Sequence, residues 1–186
     1  MHPDIAFLVQ HMKDAVAGTD DPAMIVAAVA PVAKRLATET SWLKPEYFDC
    51  DEGQGMGITV LNEEDDHTIF VETVAWLPGR GVAPHDHQTW GVVVGIEGVE
   101  VNVNWKRTDD GASEDYAELE VAEELNVGNG DVVVLLPDDI HSVRNEGQTT
   151  SLSLHVYGKA LSSLQRYEFD PINKVRRVCP QRVRRE

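Results

Sequence analysis

The spacing of apolar residues divides the chain into a short helical part and a longer strand-rich part. Between Asp4 and Ala17 the apolar residues recur every three or four positions, and a second run of this kind opens at Asp21, which proline follows, and ends near Thr38. This period places the apolar side chains on one side of a helix, and Asp followed by Pro is a typical helix start. The pattern therefore predicts two amphipathic helices at the beginning of the chain.

After about Trp42 the helical period fades and a strand pattern replaces it. Short runs rich in Val and Ile alternate with clusters of Gly, Pro, Asn and Asp, which are turn-forming residues. The runs are GITVLN, TIFVETVAWL, WGVVVGI, VEVNVNWKR, AELEV, DVVVLLP, HSVRN and TSLSLHVYG. Many short strands with regular turns are typical of a β-sandwich or a small barrel, so the fold is predicted to be mainly β.

The chain length and the absence of a low-complexity linker favour a single domain over residues 1–186. Within it we expect N-terminal helices in 1–41 that pack on the barrel, the barrel itself in 42–171, and a basic C-terminal tail in 172–186. The tail contains KVRRVCPQRVRRE, which reverses the charge of the rest of the chain. Its composition favours a solvated segment.

Charge and cysteine content exclude several classes of partner. The chain has 32 acidic and 16 basic residues and a formal charge of -16, which argues against nucleic acid or an anionic membrane surface as a partner. No apolar run approaches the roughly 20 residues of a membrane span, and the N-terminus lacks the basic start and apolar block of a signal peptide. Two distant cysteines, Cys50 and Cys179, fit a reducing compartment. We therefore expect a cytoplasmic protein.

Three histidines have a spacing that suits a metal site. In PHDHQTWG, His85 and His87 are two residues apart, so on a strand both imidazoles point to one side, about 7 Å apart along it. A further strand begins near His141, after the turn-forming LPDD, and a barrel can bring this strand opposite the first one. Three neutral imidazoles on one side of an ion would leave positions open for other ligands.

A second polar cluster lies in TSLSLHVYG. Ser153, His155 and Tyr157 alternate with aliphatic residues, so the three polar side chains share one face of a strand. By itself the pattern also fits an exposed strand face. If the face is turned inward, the three groups can form a hydrogen-bonded relay that orients the Tyr157 hydroxyl towards the barrel interior.

The segments GRGVAPHDHQTWGVVVGIEG and GDVVVLLPDDIHSVRN resemble the two motifs of the cupin superfamily. The resemblance implies a double-stranded β-helix, or jelly-roll barrel, with a metal ion inside. Gly91 stands where that family has a glutamate ligand, which leaves three histidines without a carboxylate. The residues that match are Gly79, His85, His87, Gly98, Pro137, His141 and Asn145.

Together with SLHVYG, these motifs resemble the cysteine dioxygenase type I family within the cupins, from about Trp42 to Pro171. The resemblance implies a Ser153–His155–Tyr157 triad beside the metal. The cysteine that some members crosslink to the tyrosine is replaced by Gly91, and the arginine that binds the substrate carboxylate early in their barrel has no counterpart in GITVLNEEDD. Arg166, nine residues after Tyr157, is similar to the arginine that bacterial 3-mercaptopropionate dioxygenases use instead.

The resemblance implies Fe(II) held by His85, His87 and His141 and the addition of both atoms of O2 to the sulfur of a small thiol carboxylate, which gives a sulfinic acid. 3-Mercaptopropionate is the favoured substrate, with Arg166 as the carboxylate anchor. Cysteine, mercaptosuccinate and an aminothiol are alternative substrates. A Zn(II) hydrolase and a non-catalytic metal-binding sensor are alternatives from other functional classes.

Overall fold

The computed structural model describes residues 1–185 as two helices followed by eleven strands. The helices are α1 (Pro3–Gly18) and α2 (Pro22–Thr38), and short 3₁₀ turns lie at Thr40–Trp42, Pro45–Phe48 and Leu161–Ser163. The strands are β1 (Met56–Asn62), β2 (Thr68–Trp76), β3 (Gly81–His85), β4 (Gly91–Glu97), β5 (Glu100–Arg107), β6 (Leu119–Val127), β7 (Val132–Leu135), β8 (Ile140–Arg144), β9 (Ser151–Lys159), β10 (Tyr167–Asp170) and β11 (Val175–Val178).

Both N-terminal helices form where the apolar spacing predicts them. Asp21 caps α2, because its carboxylate accepts a hydrogen bond from the backbone N–H of Ala23 at 2.9 Å. The apolar side of each helix, which includes Leu8 and Val29, is buried in one cluster with residues of the first sheet. None of the helices within the described residues is long and apolar enough to cross a membrane.

The strands form two antiparallel sheets that the chain visits in turn. One sheet has the order β1-β2-β9-β4-β7 and the other the order β11-β10-β3-β8-β5-β6. From β2 to β10 the chain passes to the other sheet at every connection except the hairpin between β5 and β6, which both belong to the second sheet. This winding produces a jelly-roll barrel, so the predicted mainly β fold with N-terminal helices is confirmed.

The first sheet has two different faces. On its outer face, Val71 of β2 and Leu152, Leu154 and Val156 of β9 pack under the helices and are fully buried. Because side chains alternate along a strand, the residues between them point into the barrel. The inner face carries Phe70, Glu72, Val74, Trp76, Ser153, His155 and Tyr157.

Candidate metal centre

Three histidines converge inside the barrel. His85 ends β3 and lies directly opposite His141 on β8, as Cα partners in the antiparallel ladder. His87 follows two residues after β3 has ended. The three ring centroids are 4.7 to 4.9 Å apart, and one nitrogen from each ring lies within 4.8 Å of the other two. These side chains form a group able to hold a metal ion.

The position of His87 corrects one detail of the sequence interpretation. Side-chain alternation would place both histidines of HDH on one face only if both lay on one strand, but the strand ends at His85. The chain then turns, with Gln88 in the left-handed region at φ 57°. His87 therefore reaches the cluster from a loop, and the rings approach more closely than the roughly 7 Å expected along a strand.

Hydrogen bonds to two of the imidazoles determine which nitrogen faces the centre of the group. His85 Nδ1 lies 2.9 Å from the carbonyl oxygen of Ala83, and His141 Nδ1 lies 2.6 Å from Oδ1 of Asn102. Asn102 donates from its Nδ2 to Asn104 at 2.9 Å, which orients its amide oxygen towards His141. Since both Nδ1 atoms face acceptors, they carry the ring protons and leave Nε2 free to bind a metal.

Burial keeps all three imidazoles neutral. It lowers the pKa of His85 to about 4 and the pKa of His87 and His141 well below the ordinary value of 6.5. Neutral imidazole is the form that binds metal ions. Nδ1 of His87 is buried and has no hydrogen-bond partner within the described residues. An unpaired buried polar atom costs free energy unless a bound ligand pairs with it. The donor set therefore fits a divalent transition metal.

A tyrosine ring occupies the place where a carboxylate ligand would project from β4. Gly91 pairs with Tyr157 across the sheet, and a Cβ at Gly91 would lie 2.6 Å from Cδ1 of that ring. No side chain can occupy this position while the ring is in place. The Tyr157 ring also stacks on His87, with centroids 5.1 Å apart. The metal group therefore consists of three histidines with a tyrosine beside it.

Ser153, His155 and Tyr157 form a continuous hydrogen-bonded relay on the inner face of β9. Ser153 Oγ lies 2.9 Å from His155 Nε2, and His155 Nδ1 lies 2.8 Å from the Tyr157 hydroxyl. All three are buried. The face is turned inward, as the relay hypothesis requires, rather than exposed. Burial also raises the pKa of Tyr157 well above 10, so its hydroxyl keeps its proton.

The three histidines of the metal group and two members of the relay, His155 and Tyr157, line the same cavity of about 80 Å³. Apolar side chains from β1, β2 and β8, among them Ile58, Val74 and Val143, form much of its wall. Arg166, which precedes β10, also lines it. The structure thus brings together all seven residues that the sequence singles out, which are His85, His87, His141, Ser153, His155, Tyr157 and Arg166.

Arg166 is half-buried and makes only weak contacts. Its Nε and Nη1 donate to the backbone carbonyls of Leu161 and Asp86 at 3.4 and 3.5 Å. Within residues 1–185 it forms no salt bridge, although the chain has 32 acidic residues. A guanidinium beside a cavity without a carboxylate partner is a suitable anchor for an anionic ligand.

The C-terminal segment corrects the expectation of a solvated tail. β11 pairs with β10, and residues 179–185, which we call the strap, cross from one sheet to the other. At one end the Cys179 N–H donates to the Arg166 carbonyl at 2.8 Å, and at the other the Arg185 N–H donates to the Ile58 carbonyl at 2.9 Å. Cys179, Gln181, Arg182 and Arg184 line the cavity, so the strap forms part of its wall.

Glu72 is a cavity residue that the sequence reasoning missed. It lies on β2 opposite His155 and is only 4% exposed. Burial raises its pKa to about 8, although the charges of Arg184 and Arg166 lower it. The alternation of side chains along β2 could have identified Glu72 as a cavity residue, because Glu72 shares a face with Phe70 in a strand that is buried on both sides.

No protein-family model matches the chain. Among solved structures, an oxalate oxidase in complex with the substrate analogue glycolate is similar, with 16% identity over 63% of this chain and a TM-score of 0.47. The match spans 59% of the oxalate oxidase chain, which is less than two thirds of its length.

Two bacterial structures are also similar. One is the cupin_2 domain of an XRE family transcriptional regulator from Enterobacter cloacae, with 17% identity, coverage of 57% of this chain and 99% of that chain, and a TM-score of 0.41. The other is an uncharacterized conserved protein with a double-stranded β-helix domain from Klebsiella pneumoniae. It has 15% identity, coverage of 65% of this chain and 86% of that chain, and a TM-score of 0.46.

Proposed function

We propose that this protein is a cytoplasmic non-heme Fe(II) thiol dioxygenase of the cysteine dioxygenase type. Its substrate is a small thiol carboxylate, with 3-mercaptopropionate favoured, and its product is the corresponding sulfinic acid. The observation that carries the proposal is that one small cavity holds a metal group of three neutral histidines with no carboxylate among them, a tyrosine relay, and an arginine that forms no salt bridge within residues 1–185.

The metal ligands in this proposal are His85, His87 and His141. Three protein nitrogens leave several coordination positions open, which a reaction with two substrates, a thiol and O2, requires. When bound, iron would supply the redox chemistry and would stabilise the thiolate form of the substrate. The net reaction is balanced as RSH + O₂ → RSO₂H, in which the sulfur loses four electrons and O2 gains them.

Arg166 would hold the substrate carboxylate. Its guanidinium can donate two parallel hydrogen bonds to a carboxylate, which fixes the distance and direction from this anchor to the thiol. The strap residue Arg182 adds positive charge nearby. Among residues 1–185 its only ionic contact is with Glu168 at 3.9 Å, and Arg177 already donates to that carboxylate at 2.8 Å.

Tyr157 and the apolar wall would act on the reacting end of the substrate. The Tyr157 hydroxyl, which His155 holds in place at 2.8 Å, can form a hydrogen bond with the thiolate or with oxygen. Ile58, Val74 and Val143 line the cavity with hydrocarbon and limit the entry of water. Water exclusion strengthens these polar contacts and protects a reactive sulfur species from side reactions.

Oxygen uptake by anaerobically Fe(II)-loaded protein tests this function. The protein is given 3-mercaptopropionate, cysteine, mercaptosuccinate and cysteamine in parallel, and sulfinate formation is measured by mass spectrometry. We expect uptake that favours 3-mercaptopropionate. In Arg166→Ala, kcat/KM should fall by about 10²-fold, since two hydrogen bonds to a charged group are lost.

Arg177→Ala is the matched control. Its side chain is 63% exposed and does not line the cavity, so kcat/KM should stay at the wild-type value. Preference for cysteine or mercaptosuccinate would keep the reaction and change the substrate. If the iron-loaded protein consumed no oxygen with any thiol, the dioxygenase proposal would be wrong, and a sensor or a Zn(II) hydrolase would replace it.

A further inference from the structure

A buried glutamate lies behind the tyrosine relay, on the side away from the metal group. Glu100 begins β5 and is 3% exposed. Its Oε2 lies 3.1 Å from Ser153 Oγ, so the hydrogen-bonded chain runs from Glu100 through Ser153 and His155 to Tyr157. Nothing in the proposed chemistry uses Glu100, although a buried carboxyl group normally has a structural or functional partner.

The members of this chain have few hydrogens to share. Burial lowers the pKa of His155 to about 3, so its imidazole is neutral and carries one ring proton. Ser153 and Tyr157 have one hydroxyl hydrogen each. Since each bond in the chain needs one donor and one acceptor, the direction of the bond at one end determines the direction at the other.

An ionised Glu100 fixes one direction. A carboxylate only accepts hydrogen bonds, so the Ser153 hydroxyl must donate to it. His155 then donates to Ser153 from Nε2–H, and its unprotonated Nδ1 accepts a hydrogen bond from Tyr157. In this state the Tyr157 hydroxyl hydrogen points to His155, and only its oxygen lone pairs remain for a ligand in the cavity.

A protonated Glu100 permits the opposite direction. Its O–H donates to Ser153 Oγ, Ser153 donates to His155 Nε2, and the ring proton of His155 moves to Nδ1, from which it donates to the Tyr157 oxygen. The Tyr157 hydrogen is then free to point into the cavity. The other acceptor open to Ser153 is the carbonyl of Val74, which is farther away at 3.4 Å than His155 at 2.9 Å.

We propose that Glu100 is a positioning residue that sets the direction of the Ser153–His155–Tyr157 chain, so that Tyr157 donates a hydrogen bond into the cavity only when Glu100 is protonated. The change in direction is a property of the chain itself. Its effect on turnover rests on the proposed thiol dioxygenase function, in which Tyr157 acts as the donor.

The surroundings of Glu100 make this change accessible near neutral pH. Burial raises the pKa of its carboxyl group to about 7, while the hydrogen bond with Ser153 lowers it. Within the described residues, Oε1 of Glu100 and Oγ of Ser151 have no hydrogen-bond partner. Among the residues described, no charged side chain contributes to the pKa of Glu100, and His155 and Tyr157 are the titratable groups next along the chain. The donor form of Tyr157 therefore exists below about pH 7 and is lost above it.

The ring tautomer of His155 is the direct measurement. The full chain is loaded with diamagnetic Zn(II), which three histidines also bind, and the nitrogen chemical shifts of His155 are followed by NMR across the pKa of Glu100. We expect the proton to lie on Nδ1 at low pH and on Nε2 at high pH. In Glu100→Gln the amide can donate to Ser153 at every pH, so the Nδ1–H form should persist throughout.

The same tautomer at every pH in the wild-type protein would overturn the proposal. Persistent Nε2–H would mean that Ser153 donates to Val74 when Glu100 is protonated. Glu97→Gln is the control, because Glu97 is an exposed acid at the end of β4 and should leave the wild-type titration unchanged. Thermal unfolding of each variant verifies that the fold is intact.

The pH dependence of kcat is the second measurement. In the Fe(II)-loaded enzyme, kcat should fall by about tenfold per pH unit above the pKa of Glu100, and this fall should disappear in Glu100→Gln. It should also disappear in Tyr157→Phe, which has no hydroxyl to orient. An unchanged alkaline limb in Glu100→Gln would contradict the catalytic part of the proposal. A tautomer switch in a protein that oxidises no thiol would instead refute the proposed function and leave the inference about Glu100 intact.

Discussion

The two faces of β9 differ in kind, since one packs apolar side chains under the helices and the other carries a hydrogen-bonded relay beside the metal group. On the outer face, Leu152, Leu154 and Val156 are fully buried under the helices, and nothing about them is specific beyond size and polarity. On the inner face, His155 joins Ser153 to Tyr157 by hydrogen bonds of 2.9 and 2.8 Å, and these bonds require particular side-chain atoms at each position. The outer face can therefore tolerate similar apolar residues, whereas the inner face cannot.

The largest effect expected on the inner side comes from removal of a metal ligand. His141→Ala should reduce bound iron to background and abolish turnover, while the protein remains folded. Metal analysis and oxygen uptake measure the two quantities. His67→Asn is the control, because His67 is exposed at a left-handed backbone position that Asn also adopts, and it should bind iron normally. Full iron content in His141→Ala would refute the ligand assignment.

Truncation on the outer face should affect stability alone. Leu154→Ala removes a fully buried side chain between β9 and the helices and should lower the free energy of unfolding by about 2–5 kcal/mol. Denaturant unfolding measures this loss, and Val134→Ala at an exposed position should change stability by less than about 0.5 kcal/mol. If iron content and kcat per folded molecule also fell, the two faces would not be separable.

Removal of one hydroxyl on the inner face should affect turnover alone. Tyr157→Phe keeps the ring that stacks on His87 but loses the hydrogen bond to His155. We expect kcat to fall by about 10²-fold with iron content unchanged. Steady-state kinetics and metal analysis on the same preparation measure both. Loss of iron with normal turnover per iron would reverse the roles assigned to Tyr157 and the histidines.

The variant Glu72→Gln tests whether a buried ionisable carboxyl group on the inner face lowers the free energy of unfolding. Its pKa is raised to about 8 from 4.5, so between these values the folded state binds a proton that the unfolded state has released. Stability of the metal-free protein should therefore fall as pH rises through this window. Glu72→Gln should raise the free energy of unfolding by on the order of 2–3 kcal/mol at pH 7 and have little effect below pH 4.5. Unfolding experiments at both pH values measure it, and an equal effect at both would exclude ionisation as the cause.

The smallest effect is expected at the edge of the cavity, where the strap supplies Arg182. Its side chain is 31% exposed and contacts Glu168 at 3.9 Å. Arg182→Gln should raise KM by up to about fivefold without changing kcat, since a partly solvated charge contributes modestly. The same kinetic assays measure it. An effect as large as that of Arg166→Ala would mean that the strap, rather than the barrel, anchors the substrate.

Local periodicity was sufficient to predict the helices and most strands, because it depends on neighbours a few residues apart. That His141 could lie opposite His85 was expected only from the general rule that strands of a barrel meet. The alternating pattern around Tyr157 left open whether its face is exposed or turned inward, and the packing of the aliphatic face against the helices decides this.

Features that depend on distant contacts could not be predicted. The strap lies where it does because Gln54 accepts a hydrogen bond from the N–H of Val183 at 2.9 Å and because Arg185 pairs with β1, contacts that no local pattern encodes. The burial of Glu100 at the start of β5 accompanies its contact with Ser153 of the other sheet, which only the assembled barrel determines.

The most direct test of the dioxygenase proposal is the fate of isotopically labelled O2. Fe(II)-loaded protein is given 3-mercaptopropionate under labelled O2, and the sulfinic acid product is analysed by mass spectrometry. The account predicts that both sulfinate oxygens carry the label. A product with one labelled oxygen or none, or a disulfide in place of a sulfinic acid, would contradict it.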